Sequence, residues 1–302
     1  MFSMISFIIC TYNRDKYIYQ CLSNLAKNNQ TSYDWEIILV NNNSTDNTHS
    51  ECERFYADYQ LSNYHYFIEE TPGLSHARNR GIKESEGEWL VILDDDSMVG
   101  NDYIDNLGKW LELYPDAGAF GGPITPFFEE KEPAWLSKWS MSFVSAIDLG
   151  TEVRIFEKNK YPIGANMGIS RKAINKTGLF NPSLGRTKNL LLGGEEKDLF
   201  LRIHESGYPI YYFPDIKVNH CIPDSRLTRE YIKKLGYGVG VSERLRTLDL
   251  GKIAYCKRIA SELVKWCGTI VLLLKYVILL QPQKGTVLVR FRFNVTKGLF
   301  HF

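Results

Sequence analysis

Five mostly apolar residues, Trp89 to Leu93, run straight into three carboxylates, Asp94, Asp95 and Asp96. A short apolar run bounded by polar residues reads as a buried strand of the kind found in parallel sheets. In open α/β sheets, ligands bind beyond the carboxyl ends of the strands, which is where the triplet falls. Adjacent carboxylates repel one another and raise one another's pKa unless a cation sits among them. Oxygen ligands suit Mg²⁺ or Mn²⁺, and Mg²⁺ commonly shares its site with substrate phosphates. The stretch therefore reads either as a metal–diphosphate site or as a solvated acidic turn, Asp being common in turns.

The neighbouring chain supplies the sheet. Ile5 to Cys10, Ile37 to Val40 and Tyr64 to Ile68 are further strand-like runs. Helical segments are expected at about Asp15 to Asn28, after Ser44 or Asp46 as a cap and on to Tyr59, and over Leu74 to Ser85. This β-α alternation predicts an α/β fold with a mainly parallel central sheet. Right-handed crossovers would bring the ends of the first, second and fourth strands to one edge. Three polar clusters then share one rim: Thr11 to Arg14 with Asn13, Asn41 to Asp46 with Asn43, and Asp94 to Asp96. The chain has no Gly-x-Gly-x-x-Gly after the first strand and no Walker loop. Without glycines for close phosphate approach, a nucleotide here would be held by side chains and a metal.

The six cysteines are widely spaced with no C-x-x-C pair, which reads as reduced thiols rather than a disulfide framework or zinc site. The N-terminus shows no basic segment ahead of its first apolar run, so no signal peptide is expected. The near-neutral net charge of +1 conceals an asymmetry. Residues 226–302 carry 15 Lys and Arg against 4 Asp and Glu, net +11, whereas residues 1–225 carry 21 against 31, net −10. An acidic body with a basic tail suggests that the tail meets something anionic. Within it, Trp266 to Leu280 is nearly all apolar, but its 15 residues fall short of the ~20 that span a bilayer. Basic, aromatic, amphipathic segments of this kind lie in membrane interfaces, and the competing reading is a helical appendage packed on the domain.

The segments SFIICTYNR, EIILVNNNSTDNT, PGLSHARNRGI and WLVILDDDS, in this order and spacing, resemble the donor half of family-2 glycosyltransferases with the GT-A fold. The resemblance implies a transferase that uses a nucleoside-diphosphate sugar, UDP- or GDP-linked, with Mn²⁺ or Mg²⁺. It implies that Thr11, Asn13, Arg14, Asn41, Asn43, Arg78, Asp94 and Asp95 bind the nucleotide sugar and that Asp96 holds the metal. Many family members have Asp where this chain has Asn41. Asn accepts through its carbonyl but also donates and carries no charge, which leaves the base, uracil or guanine, open. On residues alone, Arg78 also reads as a solvent-facing helix position.

Beyond Ala117 to Gly121, read as a strand, residues 123–161 are less regular. Trp135 and Trp139 there either stack on sugar rings at an acceptor groove or close a small core under a long loop. In PIGANMG, Asn166 is implied by the resemblance as a polar group in the wall of the sugar pocket. Gly193-Gly194-Glu195-Glu196, followed by DLFLRI, matches the family's acidic pair before an L-x-x-R helix. By that match Glu196 is the catalytic base and Glu195 supports it; by itself the pair reads equally as charge complementing a helix start. Ile210 to Phe213 and Ile216 to Val218 are expected strands, and His220, just after, is placed by resemblance where it can reach the metal.

These readings divide the chain into a glycosyltransferase domain, 1–225, with a donor half (1–122) and an acceptor half (123–225), and a basic, apolar helical region, 226–302. They imply an inverting, hexosyl-type transferase acting in surface polysaccharide or glycan synthesis on a glycan or lipid-linked acceptor. Its expected place is cytoplasmic, peripheral on the inner face of an anionic membrane, with no nucleic-acid partner. The rival readings are a catalytically silent sugar-nucleotide-binding protein and a nucleotidyltransferase.

Overall fold

The computed structural model describes residues 4–157, 160–186 and 191–300. Residues 1–3, 158–159, 187–190 and 301–302 lie outside the described residues. The order of elements is β1 (Ile5–Thr11), α1 (Ile18–Ala26), β2 (Trp35–Asn41), α2 (Thr48–Tyr59), β3 (Tyr64–Ile68), α3 (Leu74–Glu84), β4 (Trp89–Asp94), β5 (Ser97–Val99), α4 (Tyr103–Leu113), β6 (Ala119–Gly121) and β7 (Ile124–Phe128). There follow β8 (Arg154–Ile155), β9 (Met167–Ser170), α5 (Arg171–Thr177), α6 (Glu195–Glu205), β10 (Ile210–Tyr212), β11 (Val218–Ile222), α7 (Asp224–Leu227), α8 (Arg229–Asp249), α9 (Lys252–Ile278) and α10 (Pro282–Phe300).

The main sheet has the order β3-β2-β1-β4-β9-β6-β10-β8. β1 to β4 pair in parallel, as the alternation of short apolar runs with helices implies. β9 then runs antiparallel between β4 and β6, β10 is parallel to β6, and β8 is antiparallel to β10. A second sheet, β5-β11-β7, has three strands.

Both faces of the parallel half are covered, which explains why its strands are nearly continuous in apolar residues. Alternate residues go to opposite faces. Ile5, Phe7 and Ile9, with Trp89, Val91 and Leu93, join one cluster with α1, α2 and α4 residues such as Leu22, Phe55 and Leu107. Ile8 and Cys10, with Leu90 and Ile92, join another with α3, α5 and α6 residues such as Ile82, Ile174 and Leu199. Fully burying a side chain of this size contributes about 1.5–3 kcal/mol, so the register of β1 against β2 and β4 is strongly set.

Three expectations shift. The strand sought at Ile216 to Val218 starts at Val218 and runs to Ile222, so His220 lies inside it rather than after it. The irregular stretch contains strands β7 and β8, and β5 follows the carboxylate triplet directly. Their alternation is too short to register as a period in the sequence.

By its contacts the chain forms two compact units. One comprises Met1–Phe127, Ser145–Pro182 and Glu196–Cys221; the other comprises Phe128–Val144, Ser183–Glu195 and Ile222–Phe302. In the second, Phe143, Ile232, Tyr276, Val287 and Leu288 form a small core, and Phe143 packs on Phe291 with ring centres 4.2 Å apart. A buried ionic chain ties its helices. Glu243 on α8 accepts from Arg258 at 2.8 Å, Arg258 pairs with Glu262 on α9 at 2.8 Å, and Arg292 on α10 reaches Glu262 at 3.2 Å. Removing one member of a buried pair leaves its partner's charge uncompensated. Glu262→Ala is therefore expected to destabilise this unit by about 3 kcal/mol, read as an earlier urea transition, with Glu262→Gln intermediate.

Candidate active site

The register of the parallel strands assembles the rim. Cys10 of β1 lies opposite Asp94 of β4, and Thr11 lies opposite Asn41 of β2. All three polar clusters therefore end at one level, as right-handed crossovers require. The carboxylates are not a solvated turn: Asp95 is buried and Asp96 has no exposed surface.

Two guanidinium groups compensate the triplet. Arg14 Nε lies 3.5 Å from Asp95 Oδ1 and Arg14 Nη2 3.3 Å from Asp96 Oδ2. Arg78 Nη2 lies 3.7 Å from Asp94 Oδ1. Arg78 is itself only 1% exposed, which overturns the solvent-facing alternative for it. Burial pushes the Asp95 carboxyl up to about 7; Arg14 opposes this, Asp96 adds to it, and Thr11 and Asp94 act more weakly in opposite senses.

His220 arrives through the small sheet. β11 runs antiparallel to β5 with His220 opposite Ser97, and the Cys221 N–H donates to the Asp96 carbonyl at 2.9 Å. The His220 Nε2 thereby stands 2.9 Å from Asp96 Oδ1, with both side chains fully buried. One donor atom each from Asp94, Asp96 and His220 lies within 4.8 Å of the others. The two carboxylate oxygens suit Mn²⁺ or Mg²⁺, and the imidazole nitrogen favours the transition metal of the two. The residues present fit such an ion.

The loops after β1 and β2 are cross-tied. Asn13, at φ +54°, accepts from the Thr45 N–H at 2.8 Å, and its own N–H donates to Ser44 Oγ at 3.0 Å. Asp46, not Ser44, meets the start of α2: its Oδ1 accepts from the Thr48 N–H at 3.0 Å. Asn41 is the last residue of β2 and buried; it donates to Tyr66 Oη at 2.8 Å and accepts from the Ser44 N–H at 2.8 Å. Asn43 is exposed at φ +58°. Asn42, which the sequence did not single out, donates to the Glu69 and Thr71 carbonyls, both at 2.8 Å. It also accepts from the Gly73 N–H at 2.8 Å, where φ is +136°, a conformation that favours glycine. Asn42 thus anchors the turn that launches α3 and Arg78.

Arg78 also reaches across the site. Its Nη1 lies 3.1 Å from Glu196 Oε1 at the start of α6. One guanidinium therefore joins Asp94 to Glu196. A Cβ at Gly164 would fall 2.3 Å from both Arg78 Nη2 and Glu196 Oε1, so the bridge needs glycine there. Glu195 is buried, whereas the Glu196 side chain is partly open. Asn166 is buried with its amide engaged by the protein. It accepts from Tyr103 Oη at 2.6 Å and donates to the Ile216 and Pro123 carbonyls at 2.7 and 3.3 Å. Trp135 belongs to the second unit, where it packs on that unit's small core beside Phe143; of its two sequence readings, these contacts describe the core under a loop. Tyr103, Gly164 and Asn42 carried no signal, because their roles arise from partners far along the chain.

The family model described as glycosyl transferase family 2 matches residues 6–178. A glucosyl-dolichyl phosphate glucuronosyltransferase of Haloferax volcanii is 24% identical over 250 residues, 81% of this chain and 77% of that protein. The succinoglycan biosynthesis protein ExoM of Rhizobium meliloti is 24% identical over 237 residues, 77% of this chain and 71% of that protein. A mannosyltransferase of Pyrobaculum calidifontis, solved in complex with GDP-Man and Mn²⁺, matches with a TM-score of 0.63 at 17% identity, over 99% of this chain and 88% of that one. At that identity the structural match speaks to the fold, which is of the GT-A type.

The raised Asp95 fixes the sign of one pH effect. The folded carboxyl keeps its proton above the ordinary aspartate value of 3.8, up to about 7, where the unfolded chain has released it. Stability of the cation-free protein should therefore fall as pH rises through that window. A divalent cation replaces the proton's charge and should offset the fall. Thermal midpoints from about pH 5 to about pH 8, with EDTA and with Mn²⁺, check this; equal slopes in the two series would contradict it.

Proposed function

The chain belongs to glycosyl transferase family 2, and from that premise we propose that it moves a hexose from a UDP- or GDP-linked donor to an acceptor hydroxyl with inversion. The acceptor class is a glycan or lipid-linked glycan in polysaccharide assembly, in keeping with what the two curated relatives are named for. The protein works peripherally at the inner face of the membrane. The observation that carries the catalytic reading is the Asp94–Arg78–Glu196 bridge. It ties the carboxylates that would hold the donor's ion to the carboxylate that would take the acceptor's proton.

In this reading Asp94, Asp96 and His220 hold Mn²⁺ or Mg²⁺. The bound ion supplies Lewis-acid stabilisation of the charge that develops on the leaving diphosphate. Arg14, already among the carboxylates, and Arg78 add guanidinium donors suited to phosphate oxygens. Asn41 and Tyr66, joined by their hydrogen bond, present polar groups to the base, and Thr11, Asn13, Asn43 and Asp95 complete the nucleotide side. Glu196 accepts the acceptor proton as the hydroxyl attacks the anomeric carbon. One in-line displacement inverts that centre and needs no nucleophilic carboxylate, unlike the retaining glycosidase arrangement. Glu195, buried at the first position of α6, supports Glu196, and Asn166 and Gly164 shape the wall.

Calorimetric titration with UDP, GDP and their sugar conjugates, with and without Mn²⁺, tests the donor class. Because Asp96 is fully buried beside His220 and Arg14, Asp96→Asn should lower stability as well as abolish the Mn²⁺-dependent part of nucleotide affinity. Unchanged Mn²⁺-dependent affinity in that variant would remove Asp96 from the metal role.

Glu196→Gln should keep donor affinity and lose turnover by about 10²- to 10⁴-fold, the usual contribution of a general base. Glu195→Gln should act more mildly on turnover. A Glu195 variant that loses more turnover than Glu196→Gln, at equal folding, would reverse the assignment.

A further inference from the structure

α9 is built inside out. The residues it buries are Arg258, Glu262, Thr269 and Tyr276. Its outward face carries Val264, Val271, Leu274 and Ile278, spaced to lie on one stripe, with Val271 64% and Ile278 79% exposed. A helix on the surface of a water-soluble domain normally turns its apolar stripe inward. At the corner with α10, Leu280 is 88% exposed and held at φ +55°, so the apolar surface continues past the helix end.

The charges on this face have one sign. Lys257 lies seven residues before Val264 and Lys275 four after Val271, so both share the face of the stripe, along one edge of it, and both are exposed. The one acid of α9, Glu262, is buried in ion pairs with Arg258 and Arg292. No helix among the described residues is long and apolar enough to cross a membrane. An apolar stripe edged by lysines, too short to span, is the pattern of a helix lying in a bilayer interface. A second copy of this face would bring lysines with no acid to meet them, whereas anionic headgroups supply the missing charge.

We propose that the outward face of α9, with Leu280, docks on an anionic phospholipid bilayer. This rests on the membrane placement in the reading above and is independent of the catalytic assignment. Val271 and Leu274 enter the acyl boundary, while Lys257 and Lys275 stay at headgroup level. The ionic chain on the opposite face fastens α9 to α8 and α10, so truncation within α9 would unfold the unit. Point substitutions are the cleaner probe.

Full-length protein should pellet with vesicles of equimolar phosphatidylglycerol and phosphatidylcholine, and far less with phosphatidylcholine alone. The double variant Val271→Asp, Leu274→Asp should stay in the supernatant with both, at unchanged thermal midpoint and nucleotide affinity. Lys257→Glu and Lys275→Glu should each weaken partition by at least about five-fold, an effect that fades at high salt as screening shortens to ~3 Å at 1 M. Full-length protein left in the supernatant with both vesicles overturns the proposal. So does pelleting that survives the double aspartate variant, or a vesicle-free dimer that the double variant splits, which would assign the face to a second copy. Sugar transfer to a water-soluble acceptor, measured alongside, separates failure here from failure of the transferase reading.

Discussion

Three carboxylates on consecutive residues at a buried strand end are tolerable only if positive charge is brought to them. Desolvation alone would drive protons onto them. The fold brings Arg14 from the loop after β1 and Arg78 from α3, and His220 from β11. Each comes from a different element, so the site exists only when the parallel sheet, the small sheet and α3 are all in place. The same groups account for the chemistry. Guanidinium groups that neutralise carboxylates are also donors for a diphosphate, and the carboxylate oxygens with the imidazole form a set suited to a divalent transition metal such as Mn²⁺.

Much of the remaining polar hardware fixes backbone. Asn42 engages three backbone groups around the Pro72–Gly73 turn and so sets where α3 begins. Asn13, Ser44 and Thr45 lock the first two loops together. Asn166 joins the Tyr103 side chain to the carbonyls of Pro123 and Ile216. Loops at strand ends carry function when a rigid frame positions them, and these amides are that frame. Gly164 contributes by absence, since any side chain would intrude between Arg78 and Glu196.

The C-terminal helices solve a different problem. Their mutual face combines a small apolar core, Ile232, Tyr276, Val287 and Leu288, with charge, through Glu243, Arg258, Glu262 and Arg292. Buried ion pairs contribute little net stability against apolar packing but penalise mispairing heavily. Using them to join α8, α9 and α10 frees the apolar residues of α9 to face outward. Lys257 and Lys275 thereby come to share one surface with the outward apolar residues of α9.

The sequence by itself determined the α/β class, the donor-side strands and the carboxylate-bearing strand end. Those follow from local pattern: continuous apolar runs for strands covered on both faces, and polar clusters where each run stops. Arg78, Glu196 and His220 were legible only as motif positions; the resemblance placed His220 within reach of the metal with Asp96, but the bridge of Arg78 from Asp94 to Glu196 was not legible. Sequence pattern ends where contacts become long-range. His220 reaches Asp96 through antiparallel pairing of two short strands, and Arg78 reaches Glu196 across 118 positions of chain. The burial of Asp96, the capture of Asn166 by backbone carbonyls and the outward apolar face of α9 were likewise decided by tertiary structure. Period and propensity report which residues share a face, whereas the partner that covers the face, or leaves it open, is set by how the elements pack.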